Sequence, residues 1–142
     1  MVAIMGFTSP EQAESAFYAA FQSGDLDAMM LVWSDEPDIA CVHPHGQRLV
    51  GVQPIRKSWH HILGDDTGLR IEVVARQAFH DKALAAHLVN EHLTLGDQSA
   101  HGLVLATNIY RKGSDGWRMI LHHASPNPST QAKTHRRNEV LH

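Results

Sequence analysis

Apolar residues recur at helical spacing three times before residue 65 and at the two-residue period of strands afterwards, an order that predicts the architecture. Ser9-Pro10-Glu11-Gln12 has the form of a capping box with proline at the first helical position, and Ala13, Ala16, Phe17, Ala20 and Phe21 follow on one face. A first helix is expected from Pro10 to Gln22, stopped by Gly24. Asp25 suits the N-cap of a shorter second helix, whose Leu26, Met29, Met30 and Trp33 share a face and which ends before Pro37. Asp38 to His43 read as a strand, turned by Pro44-His45-Gly46-Gln47 into Arg48-Leu49-Val50 as a short hairpin. Pro54 opens a third helix with Ile55, Trp59, Ile62 and Leu63 on one face, and Gly64-Asp65-Asp66 ends it.

Four long β-rich runs follow: Leu69 to Phe79, Ala83 to Leu95, Ser99 to Arg111 and Trp117 to Ala124. The turns between them are short, which means an antiparallel meander. Helices first and sheet second is the α+β pattern, with three N-terminal helices packed on one face of a curved, mostly antiparallel sheet. The other face carries an anomaly. From Leu84 to Leu95 apolar residues fill both alternating sets (Leu84, Ala86 and Leu88 against Ala85, Val89 and Leu93), and Leu103, Leu105 and Ile109 oppose Val104, Ala106 and Tyr110 in the same way. A sheet wet on one side alternates cleanly, so a homodimer through the sheet is expected. Residues 1–126 read as one domain and 127–142 as a polar, mobile tail.

Composition narrows the function. A chain of 142 residues with 43% hydrophobic and 19% charged residues is long enough for one self-sufficient core. No apolar run approaches the ~20 residues that span a bilayer, so no membrane partner is expected. The apolar first seven residues lack a basic leader and Cys41 has no cysteine to pair with, so a cytoplasmic location is expected. A net charge of −3, despite the locally basic Lys133, Arg136 and Arg137, argues against nucleic acid as a partner. Twelve histidines are the compositional oddity.

The order helix, helix, hairpin, helix and meander, with Gly24-Asp25-Leu26-Asp27 between the first two helices, resembles the superfamily named for nuclear transport factor two. More narrowly, Val42-His43-Pro44, Trp59 and the closing Trp117-Arg118 and His122-His123-Ala124-Ser125-Pro126 resemble its SnoaL-like and ketosteroid-isomerase-like branch. The resemblance implies a cystatin-like cone with a pocket for a small-molecule ligand. It does not choose among isomerases, cyclases, dehydratases, epoxide hydrolases and non-catalytic binding subunits. In the isomerase pattern His43 takes the place of the general-base aspartate, Phe17 that of the oxyanion tyrosine, and Asn108 falls near the protonated aspartate. Steroid-type isomerisation is therefore disfavoured. Nor is the arginine between two aspartates of the epoxide-hydrolase branch evident, because Arg70 and Arg76 lie on a strand with no obvious inward acidic partner.

His43 is the candidate general base, since imidazole titrates near neutrality and partial burial holds it neutral at pH 7. Asn108 and His123 are candidates for polarising a substrate oxygen. Trp117, Met119, Leu121 and His123 share one strand face, and the apolar company favours His123 over His122 as the inward histidine. Trp33, Trp59, His45, Asn90, Glu91 and His122 are candidate ligand contacts. Asn90 and Glu91 necessarily face opposite ways, and an inward Glu91 would pair with a histidine. Convergence of His43, His45, His122 and His123 on a zinc-like ion is the metal reading, but adjacent strand histidines point apart and no metal or organic cofactor is expected. His60, His61, His80, His87, His92 and His101 are assigned by default to the surface or an interface. Cys41 is expected to be an inert buried thiol. Three functions stay open: an isomerase, cyclase or dehydratase-type enzyme acting through His43 on a small apolar carbonyl compound, a non-catalytic module that binds a ligand or partner as a homodimer, or a structural dimer whose pocket is left over from its ancestry.

Overall fold

The computed structural model describes residues 6–64, 68–96 and 101–127, so the expected tail lies outside the described residues. Helix α1 (Pro10–Ser23) begins as the capping box requires, with Ser9 Oγ accepting from the Gln12 amide, and it ends on Gly24 in the left-handed conformation. Asp25 caps α2 (Leu26–Val32) through the Ala28 amide. Strands β1 (Ala40–Val42) and β2 (Leu49–Val50) are shorter than the hydrophobic pattern implied, and α3 spans Val52–Leu63. Strands β3 (Arg70–His80), β4 (Leu84–Thr94), β5 (His101–Gly113) and β6 (Gly116–Pro126) form the meander. The sheet runs β2-β1-β6-β5-β4-β3, with β1 parallel to β6 and every other pairing antiparallel.

This is the expected α+β cone, with three helices against the concave face. Phe17 of α1, Met29 and Val32 of α2, and Ile55 and Trp59 of α3 are buried against Val89, Ala106, Tyr110 and Met119 of the sheet. Two bulges set which side chains reach the interior. In β6, Met119 pairs with Tyr110 and Leu121 with Ile109, leaving Ile120 as an extra residue. An inserted residue inverts the alternation beyond it. In β3, Ala75 and Arg76 stand between the pairs Val74–Asn90 and Gln77–Leu88, and Ala75 takes the positive φ of 53° that such a bulge uses.

Candidate active site and its polar interior

His43 follows β1 at the start of the turn before Pro44. Its ring lies edge-on to Trp59 with centroids 4.8 Å apart, and Trp59 in turn packs against Phe17, Phe21 and His122. The His43 Nε2 to Ser58 Oγ distance is 2.9 Å, while the Ser58 hydroxyl donates to the Ile55 carbonyl at 2.7 Å. With its only proton committed, Ser58 must accept, so Nε2 carries the His43 proton. Cys41 Sγ lies 3.5 Å from the same nitrogen. Among the described residues nothing bonds Nδ1, which leaves that lone pair available. Burial lowers the His43 pKa, so the ring is neutral at pH 7. A hollow of about 740 Å³ adjoins it, lined by His43, Leu49, Pro54, Lys57, Ser58 and His61 among others.

Behind His43 a connected polar network runs through the interior. His122 Nδ1 donates to Asn108 Oδ1 at 2.6 Å, and the Asn108 amide donates to the Tyr18 hydroxyl at 2.9 Å and to Glu14 Oε2 at 3.3 Å. Tyr18 donates to Glu91 Oε2 at 2.6 Å. Glu14 Oε2 also accepts from Tyr110 at 2.9 Å and from His87 Nδ1 at 3.0 Å, and its Oε1 lies 3.5 Å from Arg76. Burial pushes Glu91 up to about 7, against the lowering effect of the Tyr18 bond. Burial raises Glu14 too, but the bonds from His87, Tyr110 and Asn108 outweigh it and hold this carboxyl below its ordinary value. His122 is pushed down to about 3 by burial, with the like charges of His43 and His123 adding to the effect.

Several expectations are corrected. His122 faces the interior and His123 the solvent, because the Ile120 bulge inverts the alternation that favoured His123. Asn90 lies on the outer face, leaving Glu91 as the inward residue, and Glu91 pairs with a tyrosine rather than a histidine. His45, a candidate ligand contact, is exposed at the hairpin turn, with a φ of 63°. Asn108 is interior, but its bonds to His122, Tyr18 and Glu14 are internal to the network. Trp33 is buried where its backbone bridges to Met119, away from the rings around His43, whereas Trp59 stands beside His43. Arg76 does find an inward acid, because the β3 bulge carries it to Glu14. Tyr18, one residue beyond Phe17, supplies the first-helix hydroxyl. His87 is not at the surface at all: it is fully buried.

The residues missed by sequence reasoning are Glu14, Tyr18, Ser58 and His87. The first two had a signal, since a helix face reading Ala13, Phe17 and Ala20 places Glu14 and Tyr18 along its margin. His87 had one in the strict alternation Ala85, His87, Val89 and Glu91 on β4, all four of which are buried.

Residues 11–129 match the family model described as SnoaL-like domain. No curated protein matches the chain. Among solved structures it is similar to a candidate calcium/calmodulin-dependent protein kinase type II association domain from Thiobacillus denitrificans, at 42% identity over 86% of this chain and 98% of that one, with a TM-score of 0.81. It is similar also to a candidate dehydratase of the nuclear-transport-factor-two-like family from Streptomyces avermitilis, at 27% identity over 82% and 92%, with a TM-score of 0.75. A protein of unknown function with a cystatin-like fold from Nostoc punctiforme shares 16% identity over 84% and 89%, with a TM-score of 0.71, and shows the fold alone. No described helix is long and apolar enough to cross a membrane.

Proposed function

The chain belongs to the SnoaL-like domain family, whose model matches residues 11–129, and on that premise we propose that it binds a small, largely apolar carbonyl compound in the hollow beside α3 and acts on it by proton transfer through His43. The observation that carries this reading is the orientation of the His43 ring: Nε2 is engaged with a serine whose own proton is spent on Ile55, so Nδ1 is left as the basic atom. A neutral, oriented imidazole at the wall of a hollow is what abstraction of a proton next to a carbonyl requires. Lys57, on the same wall, supplies a cation for the oxygen on which charge develops. The likeness to a candidate dehydratase supports the reaction class, because eliminating water beside a carbonyl starts with the same step.

Cyclic enones and simple ketones in D2O provide the test. Solvent deuterium should enter their α-carbons faster with the protein present, and His43→Gln should slow this by about 10²-fold or more. Exchange at the background rate, or equal exchange in the variant, would contradict the reading.

A second role is favoured by the outer face of the sheet, where Phe79, Leu84 and Leu105 are 54%, 46% and 44% exposed. We propose that two copies associate through this face. Similarity, at 42% identity, to a candidate kinase association domain supports self-association, and the role is compatible with a ligand site on the opposite side of the sheet.

A further inference from the structure

At the far end of α1 from the His43 hollow, Glu11, His80 and His87 bring three potential ligand atoms within 4.8 Å of one another. Glu11 projects from the first turn of α1 and His80 from the end of β3, where it pairs with Ala85, while His87 lies two residues beyond Ala85 on β4, opposite Ala78. Glu11 Oε2 lies 3.1 Å from His80 Nε2 and 3.6 Å from His87 Nε2. Two atoms each about 2.0–2.1 Å from a tetrahedral zinc ion lie about 3.3 Å apart, so both separations bracket a shared ion.

The second observation concerns His87 alone. Its side chain is 0% exposed, and Nε2 has no hydrogen-bond partner. Its 3.6 Å approach to Glu11 Oε2 does not reach hydrogen-bond length. Nδ1 donates to Glu14, so a neutral His87 directs the Nε2 lone pair at a carboxylate oxygen, which is itself an acceptor. Two lone pairs facing each other with nothing positive between them are repulsive. Either a proton or a cation has to occupy that space. The carboxylate that holds Nδ1 is the outer-shell partner typical of a metal-bound histidine, fixing the tautomer and orienting the ring. Glu11 and His80, at 41% and 43% side-chain exposure, leave a path for the ion to enter.

We propose that Glu11, His80 and His87 bind a divalent transition cation of the zinc class, with Glu14 orienting His87. Two imidazoles and one carboxylate form a three-ligand set with the remaining position open to water. The ion would join the start of α1 to the β3–β4 hairpin, and through Glu14 it would touch the interior network.

The test is a titration of the untagged, metal-stripped full chain with cobalt(II) and zinc, followed by cobalt visible absorption and calorimetry. Glu11→Gln and His80→Asn alter exposed side chains, so both should fold, which circular dichroism checks. The expected result is one tightly bound ion per chain, with affinity reduced about 10–100-fold in each variant and unchanged in His101→Ala. The other histidines stay in place, so binding elsewhere would persist through both substitutions. No tight binding, or affinity unchanged in either variant, overturns the site.

Discussion

The two faces of the meander each depart in part from the usual order of a globular protein. Its concave face buries His87, Glu91, Asn108 and His122 among aromatic rings, while its convex face presents Phe79, Leu84 and Leu105 to solvent. Polar groups inside cost free energy unless matched, and Glu14, Tyr18 and Tyr110 supply partners to this network, His87 Nε2 excepted. Apolar groups outside are costly unless covered. The same strands therefore serve two purposes. One face buries a polar network, and the other exposes apolar side chains that the proposed self-association would cover.

The largest effect should come from breaking the inner face at its hub. Glu14→Ala strands His87 Nδ1, Tyr110, Asn108 and Arg76 at once, and urea unfolding should report a loss of about 3–5 kcal/mol. A loss below about 1 kcal/mol would mean that the network does not hold the helix to the sheet. The convex face should respond differently. Under the proposed self-association, Leu105→Glu should leave the fold intact and give a monomer in light scattering where the wild-type protein gives a dimer, whereas a monomeric wild-type protein would remove that reading.

A smaller effect sharpens the comparison through pH. Glu91, raised to about 7, contributes stability that is complete below its unfolded value near 4.5 and lost as pH rises through 7. His122, lowered to about 3, contributes stability that is complete above about 6.5 and lost as pH falls toward 3. Stability should thus peak between these limits. Glu91→Gln, which keeps an acceptor for Tyr18, should flatten the alkaline fall and gain on the order of 1–3 kcal/mol at pH 8 and nothing near pH 4. An unchanged alkaline limb would show that Glu91 is ionised without cost.

Helices were legible because their caps are local: Ser9, Asp25 and Gly24 act on neighbours within a few residues. The apolar convex face was legible too, as a failure of alternation. His43 stood out because it adjoins a turn-forming proline. Which of His122 and His123 points inward was not legible, since it depends on one extra residue in β6 that no local preference marks. Nor was the pairing of Glu14 with His87, or of Tyr18 with Glu91, each joining residues 73 positions apart across the helix–sheet interface. Contacts of that kind exist only once the sheet has curved around α1.

The state of the His43 ring decides most. Nitrogen-15 NMR of the histidine side chains, assigned with His43→Gln, reads both protonation and tautomer directly. His43 is expected to be neutral at pH 7, protonated at Nε2 and titrating below the ordinary histidine value, with that tautomer preference weakened in Ser58→Ala. A cationic ring at pH 7, or a proton resident on Nδ1, would contradict it.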